Sequence, residues 1–243
     1  MEWEYNRGIT WVDRQGREWD SRELFYEIKQ EIPIYTSLEP AKVAKLTDDE
    51  VIALRLYTSP CYQPINEFLR ALKAEESREK FLKDDKTFAQ TVRHLTDAFE
   101  KLGRIEDSKN SDVTLADDGH HKHGEQDLPK TWRAINGILP TEFFKPDDKG
   151  MISFLEYGFS STSDDKNVVA AFRDETAFNL TLEVTQIKNE ITGCHQGVPL
   201  EWLTYYPGEN EILFPPLTMF QVVHKRREGF NIYLQVIPFY NFQ

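Results

Sequence analysis

Hydrophobic and polar positions change rhythm once along this chain. Through about residue 105 the apolar residues return at helical spacing, and after residue 129 they come in short runs with partial alternation. The clearest helical stripe is Phe88, Val92, Leu95, Phe99 and Leu102, spaced four, three, four and three, with Gly103 placed to end it. "PINEFLRALKA" sets Ile65, Phe68, Leu69 and Leu72 on one face. "TDDEVIALRLY" carries Thr47 and Glu50 at capping-box positions ahead of an apolar run. These stripes predict core-facing helices that act as scaffold. In the second half, "KTWRAI", "MISFLEY", "TAFNLTLEVTQI", "NEILF", "MFQVVHK" and "NIYLQVIPFY" predict strands, with one helix-like piece, "DDKNVVAAF", among them. Helices followed by a run of strands point to the α+β class.

The same pattern divides the chain. Residues 1–105 form a helical N-terminal subdomain, 106–128 a polar loop or linker, and 129–243 a β-rich core, read together as one integrated domain. The polar stretch holds "GHHKHGE", with His120, His121 and His123. Their spacing matches no standard metal-ligand pattern, so a polar loop is expected and no metal.

Composition narrows the function classes. The chain has 243 residues, and 13% aromatic content supplies ample core. A net charge of −12 argues against a nucleic-acid groove, whose affinity rests on phosphate contacts, and against anionic membranes. The one basic cluster, "HKRREG", lies between two strand-like runs and is expected at a hairpin tip. Neither a signal peptide nor an apolar run of membrane-spanning length is seen, which gives a cytoplasmic default; secretion as an effector stays open. Cys61 and Cys194 are in no redox or metal spacing. A monomer is the default expectation.

Candidate chemistry centres on "YYPGENEILFPP". Pro207-Gly208 and Pro215-Pro216 bracket a segment read as a strand, so Glu209 and Glu211 are expected on one face, roughly 7 Å apart from a ~3.3 Å rise. By itself the pair reads first as a solvated strand entrance or an edge charged against aggregation. "GFSSTSDD" clusters hydroxyls after a strand; taken alone it reads as a turn in which Ser163 or Asp164 caps the next helix. Arg133 sits inside an apolar strand, where its charge needs an edge position or a partner.

In order, an arginine on one strand, Ser-Thr-Ser after the next and Glu-x-Glu on a later one resemble the arginine-specific mono-ADP-ribosyltransferases. The matching residues are Arg133, Ser161, Thr162, Ser163, Glu209 and Glu211, and the likeness is best over residues 130 to 224. It implies a two-sheet β core of the ADP-ribosyltransferase type with an NAD cleft behind the helical portion. The implied reaction is a pentosyl transfer: ADP-ribose moves from NAD+, a co-substrate, to arginine on a protein target, with nicotinamide release. By resemblance, Glu211 opposes the oxocarbenium charge on the ribose. Glu209 takes the incoming guanidinium and assists its deprotonation. Arg133 pairs with phosphate or ribose oxygens, and Ser161 positions Glu211. Thr162 and Ser163 shape the strand end, and the Ala134 backbone holds the nicotinamide amide. Phe172 is a candidate wall for its ring, and Tyr206 touches the protein target.

Two departures stand out: Ala134 where glycine is common, and Trp132 where tyrosine is common. An NAD+ glycohydrolase and a non-catalytic module that retains the fold remain as alternatives. Glycoside hydrolysis would suit the paired carboxylates but leaves Arg133 and Ser161 to Ser163 unexplained.

Overall fold

The computed structural model describes residues 1–13, 15–83, 87–111, 129–136, 140–173, 179–189 and 193–240. The histidine-bearing stretch around His120 lies outside them. The chain forms two compact units, Met1–Ile105 with Trp202–Pro207, and Glu106–Glu201 with Gly208–Gln243.

The first unit holds α1 (Glu2–Tyr5), the hairpin β1 (Thr10–Val12) and β2 (Glu18–Asp20), and helices α2 (Ser21–Thr36), α3 (Glu39–Val43), α4 (Asp48–Thr58), α5 (Tyr62–Ala71), α6 (Glu75–Lys83) and α7 (Ala89–Ser111). Helix α4 begins with the expected capping box. The Thr47 hydroxyl accepts from the Glu50 amide, and the Glu50 carboxylate accepts from the Thr47 amide, together worth about 1 kcal/mol. Glu50 also accepts from Lys101 Nζ at 2.6 and 2.8 Å, tying the start of α4 to α7. The α7 stripe is buried at Phe88, Leu95, Phe99 and Leu102, while Leu72, at the end of α5, is exposed. Gly103 does not terminate α7, which runs on to Ser111. A helix propagates through one glycine at a cost near ~1 kcal/mol when packing on either side favours it.

The second unit contains β3 (Lys130–Asn136), a 3-10 turn (Thr141–Phe144), β4 (Ile152–Glu156), β5 (Ser160–Ser163), α8 (Lys166–Ala171), β6 (Asn179–Thr185), β7 (Ile187–Asn189), β8 (Gly193–His195), β9 (Val198–Pro199), β10 (Glu211–Phe214), β11 (Thr218–Glu228) and β12 (Asn231–Phe239). Eight strands follow the order β4-β11-β12-β6-β3-β5-β10-β9, and β7 pairs with β8 separately. All pairs in the large sheet are antiparallel except β12 with β6. Alternation selects the core: Leu180, Leu182 and Val184 of β6 cluster with Phe214, Phe220, Leu234 and Val236. The α+β arrangement is the one expected. Residues His224 to Glu228 of the basic cluster extend β11, and only its last residue, Gly229 with φ 60°, falls at the hairpin tip. The strand continues because Lys225 to Glu228 find backbone partners in β12.

Strand β10 is seated by a close approach of backbone. A Cβ at Gly197 would collide with the Ile212 side chain and stand 3.1 Å from the Leu213 carbonyl oxygen. Gly197→Ala is therefore expected to destabilise the fold by about 1–3 kcal/mol, as overpacking does. Chemical denaturation checks this, and an unchanged midpoint would contradict it.

Candidate functional site

Three strands bring the sequence-marked residues together. Strand β5 pairs antiparallel with β10, Glu211 opposite Ser163 and Leu213 opposite Ser161, which puts all four side chains on one face. Ser160 to Ser163 are thus a strand and not the turn expected from their hydroxyls. Their backbone groups find partners in β10, and the Thr162 hydroxyl adds a 2.8 Å bond to the Ile212 carbonyl. The cap of α8 is Asp165, whose carboxylate accepts from the Asn167 amide, and not Ser163 or Asp164. Ser163 Oγ instead accepts from the Asp165 amide at 3.0 Å.

The joint between the two parts of the large sheet is narrow. Strand β3 pairs with β6 along its whole length, but with β5 only at Trp132 opposite Ser163. Next to that single pair, half-buried Arg133 donates from Nη1 to the Ser161 carbonyl at 3.4 Å. This answers the sequence's question about a charge in an apolar strand: the guanidinium has a carbonyl partner and an electrostatic one in Glu211.

The two glutamates differ more than an alternating strand would make them. Strand β10 starts at Glu211, so Glu209 precedes it, and Asn210 between them is left-handed with φ 47°. Asparagine tolerates that region, where its short side chain can bond locally. The expectation that strand periodicity places both carboxylates on one face therefore fails, although Glu209 still lies close enough to repel Glu211. Glu211 is only 5% exposed. Burial pushes its carboxyl up to about 7; the Ser161 hydroxyl, bonded to it, and Arg133 pull the other way, and Glu209 adds to the rise. Burial alone raises half-buried Glu209.

A reaction that needs charged Glu211 should show it in its pH profile. In the free protein kcat/KM for such a reaction is expected to climb about tenfold per pH unit below the carboxyl's value near 7, then level off. A profile already flat from pH 5 would contradict this assignment.

The remaining marked residues fall unevenly. Ala134 follows Arg133 in β3, opposite Thr181. Phe172 is the C-cap of α8 and is 51% exposed, an open ring and not a core residue. Tyr206 groups with the helical unit, stacked edge-on against Tyr205, its amide bonded to the Thr204 hydroxyl at 3.2 Å. Sequence reasoning passed over Glu183. It accepts from Lys130 Nζ at 3.0 Å and from Trp132 Nε1 at 3.5 Å, and it stands opposite Trp132 at the far end of the register row that runs on through Ser163 to Glu211, three strands away. Its signal was the lone charge inside "NLTLEVT".

Among the described residues no group of three or more His, Cys, Asp or Glu could hold a metal ion. None of their helices is long and apolar enough to cross a membrane.

Comparison with known proteins converges on one family. The model of the family NAD:arginine ADP-ribosyltransferase matches residues 9–238. A curated relative, the GPI-linked NAD(P)(+)--arginine ADP-ribosyltransferase 1 of Oryctolagus cuniculus, is 29% identical over 210 residues, covering 83% of this chain. The chain spans about half, 52%, of that relative's length. Among solved structures, the ADP-ribosyltransferase HopU1 of Pseudomonas syringae pv. Tomato DC3000 aligns over 98% of this chain and 96% of its own, with TM-score 0.57 and 16% identity. Vis, an ADP-ribosyltransferase from Vibrio splendidus solved with agmatine, aligns over 88% of this chain and 86% of its own, with TM-score 0.55 and 19% identity. At these identities the two structures establish the fold alone. The family match, covering nearly the whole chain, establishes more: the protein belongs to the NAD:arginine ADP-ribosyltransferase family.

Proposed function

We propose that this protein transfers ADP-ribose from NAD+ to arginine side chains of a protein, releasing nicotinamide. The observation that carries this reading is Glu211, a carboxylate buried at the start of β10, hydrogen-bonded by Ser161 and within the field of Arg133. A buried, oriented negative charge suits a reaction that develops positive charge on a ribose. The family match supplies the donor and acceptor classes, and Vis, solved with the guanidino compound agmatine, supports a guanidinium acceptor.

Each group then has a task. Arg133 holds phosphate or ribose oxygens through its donor fork. Ser161 donates to Glu211 and fixes its orientation, while Thr162 and Ser163 keep the end of β5 against β10. The Ala134 backbone and the exposed Phe172 ring line the nicotinamide side. The nicotinamide–ribose bond breaks with its electron pair leaving on nicotinamide. A guanidinium nitrogen forms the new bond to the ribose carbon, and its proton goes to Glu209. A carboxylate whose proton affinity is raised by burial is the better base for that step. Tyr206 contacts the protein target. No metal takes part.

Nicotinamide release from NAD+, measured with and without agmatine, tests the reading. The expected products are free nicotinamide and ADP-ribosyl-agmatine. Nicotinamide without the agmatine adduct would identify a glycohydrolase. No NAD+ binding by calorimetry would identify a non-catalytic module.

A further inference from the structure

The segment that leads into Glu209 is held by an arginine with no place in the mechanism above. Arg55, on α4, is 7% exposed. Its guanidinium carbon lies 4.9 Å from the ring centroids of both Tyr35, on α2, and Tyr205. Nη1 donates to the Leu203 carbonyl at 3.1 Å, while Nε and Nη2 donate to Glu31 at 3.3 and 3.0 Å. One turn on, the Thr58 hydroxyl accepts from the Tyr205 amide at 3.2 Å. Leu203 is itself buried. Residues Leu203 to Tyr205 are therefore pinned to α4 by one cation–π contact, Arg55 over the Tyr205 ring, a charge-assisted hydrogen bond and a hydroxyl, while the Tyr35 ring on α2 packs on the same guanidinium. After the pinned segment come Tyr206, its amide held by the Thr204 hydroxyl, then Pro207, Gly208 at φ 91°, Glu209 and Asn210 at φ 47°.

That sequence of restraints places a fixed root directly before a turn that carries the acceptor carboxylate. Glu211 needs no such root, because β10 pairs with β5 on one side and β9 on the other. Glu209 has no strand around it. We propose that Arg55 is a positioning residue for the acceptor half of the reaction: clamped between Tyr35 and Tyr205, it fixes the root of the turn that presents Glu209 to the incoming guanidinium. The clamp rests on the function proposed above. It acts on transfer to arginine and leaves nicotinamide release to water untouched, a division that a merely structural arginine would not produce.

Arg55→Lys and Arg55→Met are the test variants. Lysine keeps the charge but loses the flat face and the fork; methionine keeps only bulk. Tyr205→Phe, which keeps the ring over the guanidinium, serves as the conservative control against Tyr205→Ala. Two quantities are read: the ratio of agmatine modification to NAD+ hydrolysis, and hydrogen exchange at the Tyr205 and Tyr206 amides. Both Arg55 variants and Tyr205→Ala are expected to lower the ratio about tenfold, chiefly through the KM for acceptor, and to speed exchange about tenfold. Tyr205→Phe should match the parent protein. An unchanged ratio, or equal loss of transfer and hydrolysis, overturns the proposal. Should the parent protein turn over no NAD+ at all, the assigned reaction fails separately. Exchange then decides whether the clamp exists: faster exchange in the Arg55 variants supports it, and unchanged exchange overturns it.

Discussion

Glu211→Gln is expected to cut NAD+ turnover by about 10³-fold while making the protein more stable at pH 8. Both effects come from one fact, a carboxyl buried at the start of β10 with its pKa pushed up to about 7. Below the ordinary carboxyl value of 4.5 the neutral form fits the buried site without penalty. As pH rises through about 7 the folded protein must carry the charge there, and that stability is lost. Ionisation in place costs on the order of 3 kcal/mol at pH 8. Glutamine keeps the shape and the hydrogen bond with Ser161 but carries no charge. The expected gain in Tm is roughly 6–12 °C at pH 8, shrinking as pH falls toward the ordinary carboxyl value. Thermal melts at the two pH values, run beside nicotinamide release, measure it. Equal melting at pH 8, or retained turnover, would contradict the assigned role.

The second large effect separates the two carboxylates. Glu209→Gln should lower arginine modification by at least ~10²-fold while retaining most NAD+ hydrolysis. Glu209 lies outside β10, across the left-handed Asn210, and is raised by burial alone. It can therefore lose its proton-accepting capacity without moving Glu211, whose position is set by pairing with Ser163 and by the Ser161 hydroxyl. Water needs no deprotonated guanidine, so hydrolysis survives. Assaying adduct and nicotinamide in the same reaction checks the split. Parallel loss of both products would make Glu209 part of the NAD+ half.

Local signals in the sequence carried the parts of the structure that depend on neighbours in the chain. Thr47 and Glu50 marked the start of α4 through three-residue spacing, and the four-three stripe through Leu102 marked the buried face of α7. The order of Arg133, Ser161 and Glu211 was legible because each lies on its own strand. What was hidden depends on partners distant in sequence. Ser160 to Ser163 look like a turn until β10 supplies their backbone partners. Asn210 breaks the alternation that seemed to align Glu209 with Glu211, and only its backbone angle reveals this. Glu183 became meaningful once β6 was seen to lie beside β3. Arg55 and Leu203, 148 positions apart, share no pattern that a one-dimensional reading could connect.

The protein is incubated with labelled NAD+ and a cell lysate, and modified residues are mapped by mass spectrometry, with Glu209→Gln beside it. The expected result is ADP-ribose on arginine side chains of a protein, lost in the variant. Label on another residue type or on nucleic acid, or arginine label that persists in Glu209→Gln, would contradict it.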